Sequence, residues 1–325
     1  MTPVRVALTG GTGFLGTATL AALERLNVEL TVGVHRRALL QAGQRVVPIE
    51  METGRGFRPL VSGADILVHL ATEISEDEAR CEAIIARGTE QLVTEAVDAG
   101  VGRLLYVSNA AIYGNGIYCG ASETEVAVAP VTQISRARVA AEDAVLAAGG
   151  VVLRPLFVYG AGDTRFIPSL TRGIRRLPFL PNSGRALLGT IAVHDLAAVV
   201  CRMISREAWE SGVYHATDDQ PASLAAIVQA LADAGLVRAP RLSLPYGIVR
   251  TIIPLLAPGV LGQDRRSASA LHRLFLVSHD HAYDSKKLWT SLGLERPPSI
   301  LEQLRENAWW YASRAQSKTG WRANA

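Results

Sequence analysis

Lysine is almost missing from this chain. Only Lys286, Lys287 and Lys318 occur among 325 residues, and the rest of the 33 basic residues are arginine. Chemistry that needs an amine able to titrate near neutrality is therefore excluded from everything before position 286. Cysteine is scarce as well. Cys81, Cys119 and Cys201 are odd in number and far apart, which excludes a disulfide framework and a metal-ligand spacing and makes a reducing cytoplasm the expected setting. Neither sign of charge forms a block. The net charge is +3, and no basic stripe interleaved with aromatics points to nucleic acid. The greasiest late stretch, Ile248 to Leu261, is interrupted by Pro254, Pro258 and Gly259 and is too short to span a bilayer, so no membrane partner is expected. Met1 leads at once into an apolar strand, so no secretory leader is expected.

What is present is ample core. Hydrophobic residues make up 49% and charged residues 19%, and the length suits a large α/β domain with a smaller appended lobe. The chain is organised by Thr9–Gly16, TGGTGFLG. It follows the apolar run Val4–Leu8, a buried strand, and precedes Leu15–Leu26, where apolar residues recur at helical spacing. Glycines at 10, 13 and 16 in a strand–turn–helix permit the tight turn, let backbone approach a pyrophosphate and let helix pack on strand. The helix start adds free N–H groups and a positive dipole end. Thr9, Gly10, Gly13, Phe14, Leu15 and Gly16 are thus expected to hold a dinucleotide. Strands follow at Val28–Val34, Arg45–Ile49, Asp65–Leu70, Arg103–Ser108, Gly150–Pro155 and Gly212–Thr217, alternating with helical stretches such as Glu76–Ala99. That alternation predicts a Rossmann-type, doubly wound parallel sheet with right-handed crossovers.

The second strand ends in His35-Arg36-Arg37, where an acidic residue would select NAD by its ribose hydroxyls. Two arginines instead suit a 2′-phosphate through planar, bidentate, charge-assisted hydrogen bonds. The expected cofactor is NADPH, with NADH binding more weakly. Glu50 and Met51 fall at the adenine edge, and Leu70, Ala71 and Thr72 lie near the cofactor. His69 reads as a packed strand-end residue.

The succession TGGTGFLG, ADILVHLAT, GVGRLLYVSNAAIYG and LRPLFVYGAGD resembles the extended short-chain dehydrogenase/reductases, the NAD(P)-dependent epimerase/dehydratase group, from the first strand to about Asp195. The resemblance implies three catalytic side chains: a Ser or Thr holding the substrate carbonyl, a Tyr exchanging the proton, and a Lys four residues later on the same helical face. Anchored on Tyr113-Gly114 and Ala140-Ala141-Glu142, those positions are Asn109, Ile134 and Arg138. The family's Asn before the fifth strand is replaced by Ile85. Ile134 cannot exchange a proton, and Arg138 can hydrogen-bond a ribose but cannot titrate. Asn109 can still donate to a carbonyl oxygen. Tyr113, Tyr118, Ser108 and Tyr159 are the substitutes by location, although Tyr113 is commonly structural in this family. The resemblance also places Ser108 at the cofactor and implies carboxamide contacts from Pro155, Phe157 and Val158.

Residues 1–163 and 187–217 are assigned to the dinucleotide-binding domain. Residues 164–186 and 218–312 form a smaller, mostly helical substrate lobe, and 313–325 a flexible tail. Asp195 is expected to cap a helix. An apolar lid, about 240–276, suits a bulky, flat, hydrophobic substrate better than a nucleotide-sugar; ordinary lobe core or an oligomer contact fits the same residues, and the oligomeric state stays open. The expected activity is NADPH-dependent reduction of a ketone in an aromatic polyketide of angucyclinone type, as in antibiotic biosynthesis. Asn109 and Arg138 would position the substrate, and the proton would come from a substrate phenol or water, or from Tyr113. A non-catalytic NADPH-binding regulator and a nucleotide-sugar epimerase or dehydratase are the alternatives. Arg36→Ala with Arg37→Ala should weaken NADPH far more than NADH in a binding titration; equal losses refute the 2′-phosphate clamp.

Overall fold

Short apolar runs bounded by turn residues become strands buried on both faces. The computed structural model describes residues 2–35, 45–74, 77–177, 179–256 and 268–320. Seven strands make the main sheet: β1 Val4–Thr9, β2 Val28–Val34, β3 Arg45–Pro48, β4 Ile66–His69, β5 Arg103–Val107, β6 Val151–Arg154 and β7 Gly212–His215. Their spatial order is β3-β2-β1-β4-β5-β6-β7, and every pairing is parallel. The order reverses between β1 and β4, so the crevice for a ligand opens at the carboxyl ends of those strands. Thr9 stands opposite Gly33 on one side and His69 on the other.

Helices cover both faces. On one, Leu196, Val199, Val200 and Ile204 of Val193–Ile204 pack with Val6, Leu8 and Val32. On the other, Leu92 and Ala96 of Gly88–Asp98 and Ala137 and Ala141 of Gln133–Ala147 pack with Ala7, Leu67 and Val152. Residues 78–98 are continuously helical, with a π-type stretch over Glu82–Arg87 that contains the buried Ile85.

Several details differ from expectation. Helix Phe166–Arg176 is followed by a strand the sequence did not suggest, Phe179–Pro181, paired with Leu242–Leu244. Two other small pairings, Phe157–Tyr159 with Thr190–Ala192 and Tyr118–Ala121 with His281–Tyr283, add sheet outside the main one that was not predicted. Asp195 is not a helix cap. It sits in the first turn, where its carboxylate accepts from Gln303 Nε2 at 2.7 Å. Helix Lys286–Leu292, assigned by sequence to the lobe, sends Leu288, Trp289 and Leu292 into the main core beside β1 and β2. The closing helix, Ile300–Gly320, runs through most of the predicted tail. Two helices, Tyr246–Leu256 and Ala268–Ser278, flank residues 257–267 of the predicted lid, which lie outside the described residues.

His69, His215 and His272 are buried, and burial pulls each ring down to about 4. Between that value and the ordinary 6.5 the unfolded chain binds more protons, so stability is lost as pH falls through this window, by up to about 3 kcal/mol per ring. Asp218, raised to about 7 by burial, acts with the opposite sign and offsets roughly one ring. Denaturation midpoints should therefore drop steeply from pH 6.5 to 4.5; a flat profile would contradict neutral burial of these rings.

Candidate active site

The glycine turn is built on backbone contact. Gly10 has φ of +73°, and a Cβ there would lie 2.5 Å from Ala71 N. A Cβ on Gly16 would lie 2.0 Å from Gly10 O, while one on Gly13 meets only that oxygen, at 3.1 Å. Strand, turn and helix Phe14–Leu23 thus close on one another with no space for a side chain at Gly10 or Gly16, and the exit of β4, Leu70-Ala71-Thr72, lies against the turn. No side chain caps the helix start, which leaves its N–H groups facing the crevice. This cradle fits a pyrophosphate.

Beneath it, Thr9 Oγ1 lies 2.6 Å from His69 Nδ1, and His69 Nε2 lies 2.9 Å from Thr89 Oγ1. The ring also stacks on Tyr106, with centroids 5.1 Å apart. This buried chain ties β1 to β4 and to helix Gly88–Asp98. His69 is the packed strand-end residue the sequence suggested; its link to Thr89 had no sequence signal.

Helix Gln133–Ala147 starts at Thr132, whose hydroxyl accepts from Ser135 N at 3.1 Å. It carries Ile134 and Arg138 one turn apart. Arg138 is half-buried, and burial lowers its pKa while leaving the guanidinium charged. Its Nη2 reaches Thr72 Oγ1 at 3.4 Å, so the guanidinium spans from this helix to the β4 exit beside the glycine turn. No carboxylate among the described residues pairs with it.

Asn109 occupies the start of the turn Ala110–Tyr113. Its Oδ1 accepts from Ala111 N at 2.9 Å and its Nδ2 donates to Leu156 O at 3.1 Å, which leaves one amide hydrogen. Next to it Ser108 is buried, and its hydroxyl has no partner among the described residues. Tyr113, in contrast, is enclosed. Its hydroxyl lies 2.6 Å from His215 Nε2 and accepts from Arg154 Nη1 at 2.7 Å, and Arg154 forks onto the buried Glu142 carboxylate. His215 Nδ1 faces Asp284 O at 3.2 Å, so that nitrogen carries the ring proton and Tyr113 donates to the other. Burial, only partly offset by Arg154, pushes the phenol up to about 12. Tyr113 is therefore a structural cross-link rather than a residue of the crevice, which corrects its place among the catalytic candidates. Tyr118 donates to Tyr113 O at 3.3 Å, and Tyr159 is buried in the lobe core, so neither stands in for the missing tyrosine.

The rim beyond Asn109 is formed by residues 155–163. Pro155 O accepts from Ala110 N at 2.8 Å, and Phe157 and Val158 belong to the strand paired with Thr190–Ala192. A Cβ on Gly162 would touch the Phe14 ring at 3.0 Å, so this loop meets the glycine turn. Tyr311 pins it from the closing helix, its hydroxyl accepting from Gly160 N at 2.7 Å. That role was not evident in the sequence; a large aromatic seven residues after the buried Leu304 was the available signal. His35 is exposed at the end of β2, while Arg36 and Arg37 lie outside the described residues. Glu50 closes a turn, with its carboxylate accepting from Thr53 Oγ1 at 2.9 Å and facing Arg55 Nε at 3.6 Å, and the Met51 carbonyl packs against Gly88.

The comparisons agree with this geometry. The model of the NAD dependent epimerase/dehydratase family matches residues 6–215. A 4-hydroxy-2-methyl-3-oxo-4-farnesyl-3,4-dihydroquinoline-1-oxide ketoreductase from Stigmatella aurantiaca is 29% identical over 76% of this chain and 78% of its own. A UDP-glucose 4-epimerase from Vibrio cholerae is 25% identical over 71% of this chain and 75% of its own. Among solved structures, a short-chain dehydrogenase/reductase superfamily protein from Agrobacterium tumefaciens with bound NAD superposes with a TM-score of 0.75 at 17% identity, covering 98% of this chain and 99% of that one.

Because a Gly16 Cβ collides with backbone and a Gly13 Cβ does not, Gly16→Ala should lower thermal stability and abolish pyridine-nucleotide binding. Gly13→Ala should keep the fold and lose affinity alone. Calorimetry with fluorescence titration separates the two; equal destabilisation would refute the described turn.

Proposed function

The chain belongs to the NAD dependent epimerase/dehydratase family, and within it we propose an NADPH-dependent ketoreductase acting on a bulky, apolar, angucyclinone-like aromatic ketone. The observation that carries this proposal is the pair Ile134 and Arg138 on helix Gln133–Ala147, where relatives of this architecture are expected to carry a titratable tyrosine and lysine. Reactions that shuttle protons to and fro on an alcohol, as sugar epimerisation does, need that pair. A one-way reduction needs only orientation, a hydride and one proton from any source. The ketoreductase among the relatives, named for a farnesylated quinoline substrate, supports the reaction and an apolar substrate class. The sequence pattern also has a likeness to the angucyclinone ketoreductase of simocyclinone biosynthesis, which the named relatives do not extend.

In this proposal Thr9, Gly10, Gly13, Phe14, Leu15 and Gly16 would hold the pyrophosphate, and His35, Arg36 and Arg37 the phosphorylated adenosine ribose. Glu50 and Met51 would border the adenine. Leu70, Ala71, Thr72, Ser108 and Arg138 would line the nicotinamide ribose, and Pro155, Phe157 and Val158 the carboxamide. When bound, NADPH supplies the hydride for the carbonyl carbon. The remaining Asn109 amide hydrogen orients the ketone oxygen and stabilises the charge that develops there. The fixed positive charge of Arg138 favours the same anion without giving up a proton. That proton comes from a phenol beside the carbonyl, or from water, and ends on the new alcohol oxygen.

NADPH oxidation should be measured with polycyclic hydroxyketones and with their O-methyl ethers. The free phenols should react roughly a hundredfold faster, the worth of a well-placed general acid, and Tyr113→Phe should stay within a few-fold of the parent once its folding is checked. Tight NADPH binding without ketone consumption would leave a non-catalytic regulator. Turnover of a nucleotide-sugar with retained NAD would leave an epimerase, and either result overturns the proposal.

A further inference from the structure

Charge is distributed unevenly in a way the near-neutral total hides. Residues 164–194 carry five arginines and no acidic residue, and residues 234–256 carry three arginines and none. The rest of the chain then holds 25 basic against 30 acidic residues. The fold brings these two acid-free stretches together. Strand Phe179–Pro181 pairs with Leu242–Leu244, and Arg175 donates to Leu236 O at 3.2 and 2.8 Å. Ser183 N donates to Ser243 Oγ at 2.7 Å, and Tyr246 N to Asn182 Oδ1 at 2.9 Å. Leu177, Phe179 and Val249 share one small core.

The flange exposes both cationic and apolar side chains. Arg172, Arg176, Arg238, Arg241 and Arg250 are exposed, and none has an ion-pair partner among the described residues. Leu242, which lies with Arg176, Arg238 and Arg241, is 63% exposed, and Ile248 of helix Tyr246–Leu256 is 47% exposed. A groove of about 510 Å³ runs between Ile174, Arg176, Arg238, Pro240 and Leu242. Helix Phe166–Arg176 leads from the loop pinned by Tyr311 to this groove, 11 residues or about 16 Å.

We propose that this flange docks the protein on an anionic lipid surface. The arginines meet headgroup phosphates, while Leu242 and Ile248 enter the boundary between headgroups and acyl chains. Arginine suits that boundary because its guanidinium binds phosphate bidentately, and exposed apolar side chains between cations match an interfacial segment. A soluble polyanion would use the charge but gain nothing from the two exposed aliphatics, and so is disfavoured. No helix among the described residues is long and apolar enough to cross a membrane, so the contact is peripheral. The inference stands on surface charge and does not depend on the proposed ketone. If that substrate class is correct, docking would let the enzyme collect a water-insoluble ketone from the lipid phase.

The test is cosedimentation of the full-length chain with vesicles of phosphatidylcholine alone or with 30% phosphatidylglycerol. Binding should require the anionic lipid and fall with salt. Arg176→Glu with Arg238→Glu should weaken it by roughly 25-fold or more, about fivefold for each cation removed. Leu242→Ser with Ile248→Ser should remove the part that persists at high salt. Thermal midpoints and NADPH affinity of both double variants should match the parent, which shows that they fold. No partition onto anionic vesicles, binding unchanged in the folded charge-reversal variant, or binding to heparin in place of vesicles would each overturn the proposal. A failed ketone assay with intact vesicle binding would count against the substrate class alone.

Discussion

The approach of backbone to backbone at Gly10 is the constraint on which the site depends. The peptide there lies so close to Leu70 and Ala71 that any side chain would overlap them. That closeness brings the exits of β1 and β4 together at the point where strand order reverses, and so gives the crevice its floor. The Thr9–His69–Thr89 chain holds the same two strands from below. Each of these hydrogen bonds contributes only about 1 kcal/mol net, but a buried hydroxyl left unpaired costs about 1–3 kcal/mol, so the three groups specify one another. Tyr311 and Phe14 bind the far rim to the same turn. The cradle is consequently rigid, which a backbone-mediated phosphate site requires.

A second buried network occupies the region where proton chemistry would be sought. Tyr113, His215, Arg154 and Glu142 satisfy one another, and the Arg154 fork leaves the tyrosine hydroxyl with a donor on one side and an acceptor on the other. A phenol so held cannot turn toward a substrate without leaving Arg154 and His215 unpaired in the interior. Proton donation from this side chain would therefore come at the expense of the core. The neighbouring Asn109 is also mostly committed to shaping its own turn. Beside Asn109 and Arg138, the groups that stay adjustable among the described residues include one amide hydrogen, the Ser108 hydroxyl and a guanidinium of permanent charge.

Much of this was legible in the chain, and the reasons are local. β1, β2, β5 and β6 are largely apolar runs, as parallel strands covered on both faces tend to be, and their bounds are recovered to within a residue or two. The glycine turn is legible because its conformation excludes other residues. The small strands outside the main sheet were harder. Phe157–Tyr159 and Thr190–Ala192 are three residues each and exist only because they pair with one another. The cross-link of Tyr113 to His215 joins residues 102 apart, beyond any local pattern. Asp195 looked like a cap because acids favour first turns as well as caps, and those two preferences cannot be separated by sequence. Helix Lys286–Leu292 looked like lobe because chain order, unlike packing, places it after the lobe begins.

The scarcity of lysine connects the interior and the surface. Arginine cannot be neutralised within the range in which proteins fold, so both the crevice cation and the flange keep their charge at any pH the fold survives. The interior behaves differently. Its buried histidines make stability fall with acid, beginning near their ordinary pKa. Mild acid also protonates carboxylates elsewhere on the chain, which lowers the opposing negative charge while the eight arginines of the flange stay as they are. Attraction of the flange to an anionic surface therefore strengthens as pH drops, up to the point at which the core gives way. The lower limit of function is set by neutral rings packed in the core and not by any loss of charge outside it.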